Sequence, residues 1–563
     1  MAQNDFYEYI NGEWERTVSI PEDKHTITSS IILEDNNINK LKSICESDTG
    51  IIGKIYKLAL NHPNKISDEI INIINEAYTI KSHEEYLVKV AKLAMTTHSI
   101  FITLDRYPFM NKWCFPCIKY SSLVMPDDIF YTDVIKPEYI TYISELCELY
   151  GYKIDAKNVC DFEYKLALLH RSESDKKIRY WNDVRNVMPD YFNTLIMYSE
   201  YQNVSLISNK YFNIDKLKDL IYSTDIKILI DYMILKICNN FASIQTKEIA
   251  DTYYKFHGKL IGIKERNKVK YAVRSVCDFV ENDICKLYEK NYYDEKKVQD
   301  VNLIVMEIKK LLGSENPMII IGSKNTNNSE IYSNNDMTDL MSFHKQRKIN
   351  QWTTHTSFFS EIKEDLTYLP AYKCEAKFDK KIGAILISYG MLEKPFFGYE
   401  TFEENLGAIG YIICHEIMHQ YDKEYDGSDI IKNITEQYAH HGIGSHTIIE
   451  NMADIGGLQL AVQVLKNYYK DGINSDIYKR FFESYAKIHR LKACEELKDY
   501  MDKDTHAPCK YRVNIVLAHI DEFYETYNVM PSDGMYIDPK IRVKLFPRSN
   551  LLLDDLSSHR QII

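Results

Sequence analysis

His415 and His419 stand four residues apart, with Glu416 between them, in the stretch Cys414-His-Glu-Ile-Met-His419. Residues four apart share a helix face, so both imidazoles can bind one metal ion. Glu416 follows His415 directly, where its carboxylate can take a proton from a water on that metal. The preceding run Asn405-Leu-Gly-Ala-Ile-Gly-Tyr-Ile-Ile-Cys414 has the apolar character of a buried helix, which would hold the ligands rigidly. A second cluster follows in Glu450-Asn-Met-Ala-Asp454-Ile-Gly-Gly457, where Glu450 and Asp454 again share a helix face. A catalytic zinc takes three protein ligands and keeps one position open. His415, His419 and Glu450 supply that set for one Zn2+ ion. A ligating histidine usually hands its other ring N–H to a carboxylate, which fixes tautomer and orientation. Asp454 is spaced to do this, and so is Asp422, seven residues after His415. An amphipathic helix with solvated carboxylates accounts for either segment alone, but poorly for the two together.

Further landmarks make the chain resemble the neprilysin and endothelin-converting-enzyme family of zinc metallopeptidases. The second cluster is similar to the family's E-N-x-A-D-x-G-G. Met391-Leu-Glu-Lys-Pro-Phe-Phe397 resembles the segment ending in P-F-F, and His506-Ala-Pro-Cys-Lys-Tyr-Arg512 resembles H-A-P-x-x-x-R. The opening Asp5-Phe-Tyr-Glu-Tyr-Ile-Asn-Gly-Glu-Trp14 is similar to D-F-Y-x-Y-V-N-G-x-W, and Leu123-Val-Met-Pro-Asp-Asp128 to the family's L-P-D block. All run in family order from Asp5 to Arg512. The resemblance implies that His506 hydrogen-bonds the oxyanion of the tetrahedral intermediate and that Arg512 holds a substrate carbonyl. Donors aimed at developing negative charge are often the largest electrostatic term in such catalysis.

Three departures from the family pattern bear on substrate. Glu375-Ala376-Lys-Phe378 aligns with the substrate-docking N-A-x-Y, so an amide becomes a carboxylate that only accepts hydrogen bonds when ionised. The segment between His419 and Glu450 is short and lacks the family's tryptophan-containing block. The stretch His25 to Glu34 offers no arginine to trap a substrate's terminal carboxylate.

With 563 residues, 45% hydrophobic and 27% charged, the chain reads as a soluble protein of two or more domains. A formal charge of −12 argues against nucleic acid or an anionic membrane as partner. The N-terminus shows neither a basic leader nor an apolar span, so the expectation is a cytoplasmic protein without a membrane anchor. The twelve cysteines form no small-domain framework and read as reduced thiols. Trp113-Cys-Phe-Pro-Cys117 looks like a thioredoxin site but lacks a β-α-β setting. Cys509, between His506 and Arg512, reads as a candidate exposed thiol.

Apolar residues at three- and four-residue spacing predict helices over Ile38 to Leu60, Ile66 to Ala91, Glu138 to Tyr150, Ala156 to Leu169, Ile214 to Phe241 and Asp294 to Leu312. Lys381 to Ser388 and Ser99 to Leu104 read as strands. Polar, turn-prone runs at Gly322 to Glu330 and Ser333 to Asp336 read as loops between domains. The expected fold is mainly α with a small β component. Its expected parts are an N-terminal segment (1–34) packing on the catalytic domain, a helical domain (35–340) and a thermolysin-like zinc-peptidase domain (341–563). By resemblance the domains enclose a central cavity that admits oligopeptides. The functional expectation is a zinc-dependent endopeptidase with Glu416 as general base. One rival is a catalytically idle zinc-containing protein that binds peptides. Another is a thiol oxidoreductase using Cys114 and Cys117, whose activity would survive chelation.

Overall fold

The computed structural model describes residues 1–109, 113–171, 178–195, 205–208, 211–313, 318–322, 339–355, 369–379, 383–422, 428–495 and 504–545. The loops expected at 323–330 and 333–336, the connection 423–427 and the Cys114 side chain lie outside the described residues. Among the described residues helix makes up 66% and strand 5%, as a mainly α chain with a small β component requires.

The periodic runs form helices, but capping residues inside them cut the longest ones. The run from Ile38 divides at Asp48, whose Oδ1 accepts the Gly50 and Gly53 N–H groups at 2.9 Å, and Ile51–Leu60 begins afresh. The run from Ile66 divides into Asp68–Ala77 and His83–Thr96, the second capped by Ser82. The run from Ile214 divides into Ile214–Tyr222 and Ile226–Phe241, where Asp225 accepts from Lys227 N at 2.8 Å. Short side chains that accept from N–H groups two or three residues on favour a cap over helix continuation.

The chain forms two compact units: Met1–Ile44 with Cys285–Asn325 and Thr367–Ile563, and Cys45–Ile284 with Thr326–Leu366. The second is helical around Ile226–Phe241, which is buried from Leu229 to Asn239. It also holds a four-stranded sheet in the order Ile102–Phe109, Trp113–Tyr120, Ser205–Ser208, Ile178–Tyr180. The Cys114 to Cys117 segment therefore lies on a strand rather than at a helix N-terminus. Cys117 is half-buried.

The first unit carries every residue singled out above for the metal and substrate sites. This partition differs from a boundary near residue 340, because Glu295–Leu312 packs with other helices of the first unit through buried Val301, Ile304, Val305 and Ile308. A three-stranded sheet places Ala384–Ile387 in the centre, with Met318–Ile321 parallel on one side and Ala376–Asp379 antiparallel on the other. Among the described residues Ala376–Asp379 is thus an edge strand.

Candidate metal centre

Helix Tyr411–Met418 carries His415 and Glu416, and His419 opens a single 3-10 turn that continues it. Buried Ile413, Cys414 and Ile417 anchor this helix in the core. Helix Ile448–Tyr469 packs against it and carries Glu450 and Asp454. The approach is close enough that a Cβ on Gly457 would lie 2.8 Å from both Cα and N of His415. The glycine of the second cluster is what lets the two ligand-bearing helices meet.

His415 Nε2 lies 3.2 Å from His419 Nε2 and 3.3 Å from Glu450 Oε2, and His419 Nε2 lies 3.4 Å from that oxygen. Among the described residues this is the one group of three or more such side chains suited to a metal. Donor atoms about 2.0–2.1 Å from a tetrahedral zinc stand about 3.3–3.4 Å from one another, so the three separations match its edges. Glu450 Oε2 is also buried without a hydrogen bond. Two facing imidazole nitrogens and a bare carboxylate oxygen call for a cation between them, and the residues fit zinc.

The surrounding groups fix this set. His419 Nδ1 lies 3.1 Å from Asp422 Oδ1, and His415 Nδ1 lies 2.8 Å from Asp454 Oδ1. Asp454 also receives a fork from Arg512, Nε to Oδ2 at 2.8 Å and a terminal N–H to Oδ1 at 2.7 Å. The Tyr411 hydroxyl donates to Asp454 Oδ1 at 2.7 Å. His506 Nε2 approaches Glu450 Oε2 at 3.2 Å, while its Nδ1 lies 3.1 Å from Asp504 Oδ1.

The charges follow these contacts. Burial pulls the His419 imidazole down, but Asp422 and Glu450 outweigh it and carry it up to about 10. His415 is raised against its own burial by Asp454 and Glu450. Burial favours a neutral Glu450, yet the closeness of His415, His419 and His506 holds its carboxyl far below the usual range. Burial likewise opposes the Asp454 charge and is overcome by Arg512 and His415. Burial pushes the Cys509 thiol up to about 11, so this half-buried residue is not the exposed thiol its position suggested.

Glu416 is held from the sheet: its Oε2 accepts the Phe378 N–H at 2.6 Å. Glu375 pairs with Ser388 through its backbone, giving and receiving hydrogen bonds at 3.1 and 3.0 Å. Backbone groups alternate between the two edges of an antiparallel strand, so Ala376 and Phe378 turn their N–H and C=O away from the sheet. The Glu375 carboxylate lies 3.8 Å from Lys373 Nζ rather than among the metal ligands.

The structure thus gathers His415, His419, Glu450, Asp422, Asp454, His506 and Arg512 in one cluster and sets Glu416 against the edge strand. Sequence reasoning did not reach three participants. Asp504 had a signal in its spacing, two residues before His506. Tyr411 had one in standing a helical turn before His415. The Phe378 N–H, a backbone group, had none.

Two profiles described as peptidase family M13 match the chain, one over residues 2–314 and the other over 378–439 and 423–543. The chain belongs to peptidase family M13. This M13 peptidase is 23% identical over 639 residues to the neutral endopeptidase of Lactococcus lactis, across 97% of this chain and 99% of that one. It is 22% identical over 508 residues to endothelin-converting enzyme 1 of Bos taurus, across 74% of this chain and 67% of that protein. The crystal structure of the Mycobacterium tuberculosis zinc metalloprotease Zmp1 in complex with inhibitor shares its fold, with a TM-score of 0.83, 18% identity and 97% of each chain covered. The M13 chain is accordingly a neprilysin-like metalloendopeptidase. Among its described residues no helix is long and apolar enough to cross a membrane.

Proposed function

We propose that the protein is a zinc-dependent endopeptidase that hydrolyses oligopeptides with Glu416 as general base. The observation that carries the reading is the His415, His419 and Glu450 triangle with tetrahedral separations, beside a carboxylate on the same helix. When bound, zinc lowers the pKa of a coordinated water and polarises the scissile carbonyl. Glu416, steadied by the Phe378 N–H, removes the proton of the attacking water and passes it to the leaving amine. The outward N–H and C=O of Ala376 pair with a peptide that adds to the edge strand. His506, oriented by Asp504, donates to the oxyanion. Arg512 spends two N–H groups on Asp454 and turns those that remain to a substrate carbonyl. Glu375 accepts from substrate N–H groups or from a cationic residue, and Lys373 offsets its charge only in part.

The test is digestion of a diverse peptide mixture, read by mass spectrometry, with wild type, Glu416→Gln and chelator-treated protein. Cleavage by wild type alone is expected, with flanking residues that report the preference set at Glu375. No cleavage by zinc-loaded wild type would leave a peptide-binding protein that has kept its metal. Cleavage that survives chelation would sink the metal reading.

A further inference from the structure

Asp454 is 1% exposed and carries more donors than a carboxylate that merely pairs with an arginine. Arg512 reaches it from helix Cys509–Leu517, which bears none of the three ligands. His415 Nδ1 and the Tyr411 hydroxyl approach the same oxygen, Oδ1, at 2.8 and 2.7 Å. Tyr411 and His415 lie one turn apart on one helix, so phenol and imidazole stand above one another and meet the facing helix at a common atom. Beside that close approach of the imidazole, Tyr411 supplies a hydrogen bond from the same helix to Asp454.

We infer that Tyr411 is a positioning residue for the metal centre, whose hydroxyl holds the Asp454 carboxylate that orients His415 toward the ion. The inference rests on the zinc reading above. The phenol is itself immobile: its ring lies edge-on to Tyr485 at 4.7 Å and to His489 at 5.7 Å. Tyr411 is 1% exposed, which leaves no room for water to replace the hydroxyl. An O–H bonded to a carboxylate in such a place is among the stronger hydrogen bonds. Without it, Asp454 is set by Arg512, a side chain also offered to substrate, and the His415 ring gains freedom to tilt.

Tyr411→Phe removes one oxygen and keeps the ring in its edge-on seat, so the fold is retained, as a cooperative thermal melt of the metal-free protein would verify. Tyr485→Phe is the matched control. It deletes the hydroxyl of an equally buried tyrosine in the same cluster, one that donates to the Arg512 carbonyl instead of to Asp454. Zinc affinity is measured by competition with a chromophoric chelator, and ligand geometry by the visible spectrum of the cobalt(II)-substituted protein. Tyr411→Phe is expected to weaken zinc about tenfold, as loss of a group that orients a ligand does, and to shift the cobalt bands. Tyr485→Phe should leave both unchanged. Wild-type affinity and spectrum in Tyr411→Phe, or equal changes in the two variants, would overturn the inference. A wild-type protein that binds no zinc would overturn the metal reading itself.

Discussion

Replacing Gly457 with alanine would drive a methyl group into the backbone of the helix that bears His415. The new Cβ would lie 2.8 Å from His415 Cα and N, where ordinary contact begins near 3.4 Å, so the helices must part by about 0.6 Å, the difference of the two. Neither obstructing atom is the end of a flexible side chain. Metal–donor distances tolerate about 0.2 Å, so the centre cannot absorb the shift. Either Glu450 withdraws from the two imidazoles or the helices stay strained. Overpacking of a core costs about 1–3 kcal/mol, and the better helix propensity of alanine returns about 1 kcal/mol at most. We expect a net loss of up to about 2 kcal/mol in the metal-free protein by urea unfolding, with zinc binding weakened at least about tenfold. Gly456→Ala is the internal contrast. Its Cβ meets the tip of the Met418 side chain at 2.5 Å, and that tip can swing aside. Wild-type stability and zinc affinity in Gly457→Ala would refute the argument that this glycine sets the spacing of the ligand helices.

Three further outcomes are expected. His506→Gln should lower kcat by about 10²–10³ with zinc retained, and Asp504→Asn should give part of that loss; an unchanged kcat in both would remove His506 from the oxyanion site. His519 is fully buried and its Nδ1 accepts the Val543 N–H at 3.0 Å, and burial lowers its imidazole from 6.5 to about 4. The unfolded chain takes up the proton first, so this contribution is intact above pH 6.5 and is lost as pH falls from 6.5 toward 4. It amounts to up to about 3 kcal/mol, and urea midpoints of His519→Gln should show a flatter pH dependence in that window. Asp5→Asn keeps a good helix cap but breaks the 2.7 Å pair with Lys510. It should cost less than about 1 kcal/mol of stability while raising KM, because Arg512 rides on the helix that Lys510 and Asn514 tether; a KM at the wild-type value would count against that tether.

The cluster of His415, His419 and Glu450 was legible because the two histidines, like Glu450 and Asp454, stand four residues apart, and four-residue periodicity survives any detail of packing. Helix existence was legible for the same reason, whereas helix ends were not. Asp48, Ser82 and Asp225 sit inside apolar-periodic runs, and the energy of one cap is lost among the apolar residues around it in such a pattern. The unit boundary failed to show near Glu295–Leu312 because its apolar stripe reports that it packs, without reporting against which partner. Cys509 was read as exposed from its place between His506 and Arg512, but it opens the helix Cys509–Leu517 and is half-buried. The Phe378 N–H to Glu416 bond lay beyond reach altogether, since every residue but proline carries that donor.

The opening motif shows what the distant landmarks accomplish together. Asp5 accepts from Asn514 Nδ2 at 2.7 Å, and the Tyr7 N–H reaches Asn514 Oδ1 at 2.8 Å. Asn11 donates to the Ala486 carbonyl at 2.8 Å and accepts from Arg490 Nε at 3.1 Å, while Trp14 lies beneath the Arg490 guanidinium at 5.5 Å. Asp5, Tyr7, Asn11 and Trp14 of the motif thus grip partners in the segment from Ala486 to Asn514, which contains His506 and Arg512. None of these motif residues touches the metal ligands, so the residue types are set by the task of holding that late segment. Arg512 in turn forks onto Asp454 beside His415, and the chain of contacts runs from the first helix to the metal centre through side chains fixed at both ends. A change in the opening helix is therefore felt first at His506 and Arg512, and only then at the cluster of His415, His419 and Glu450.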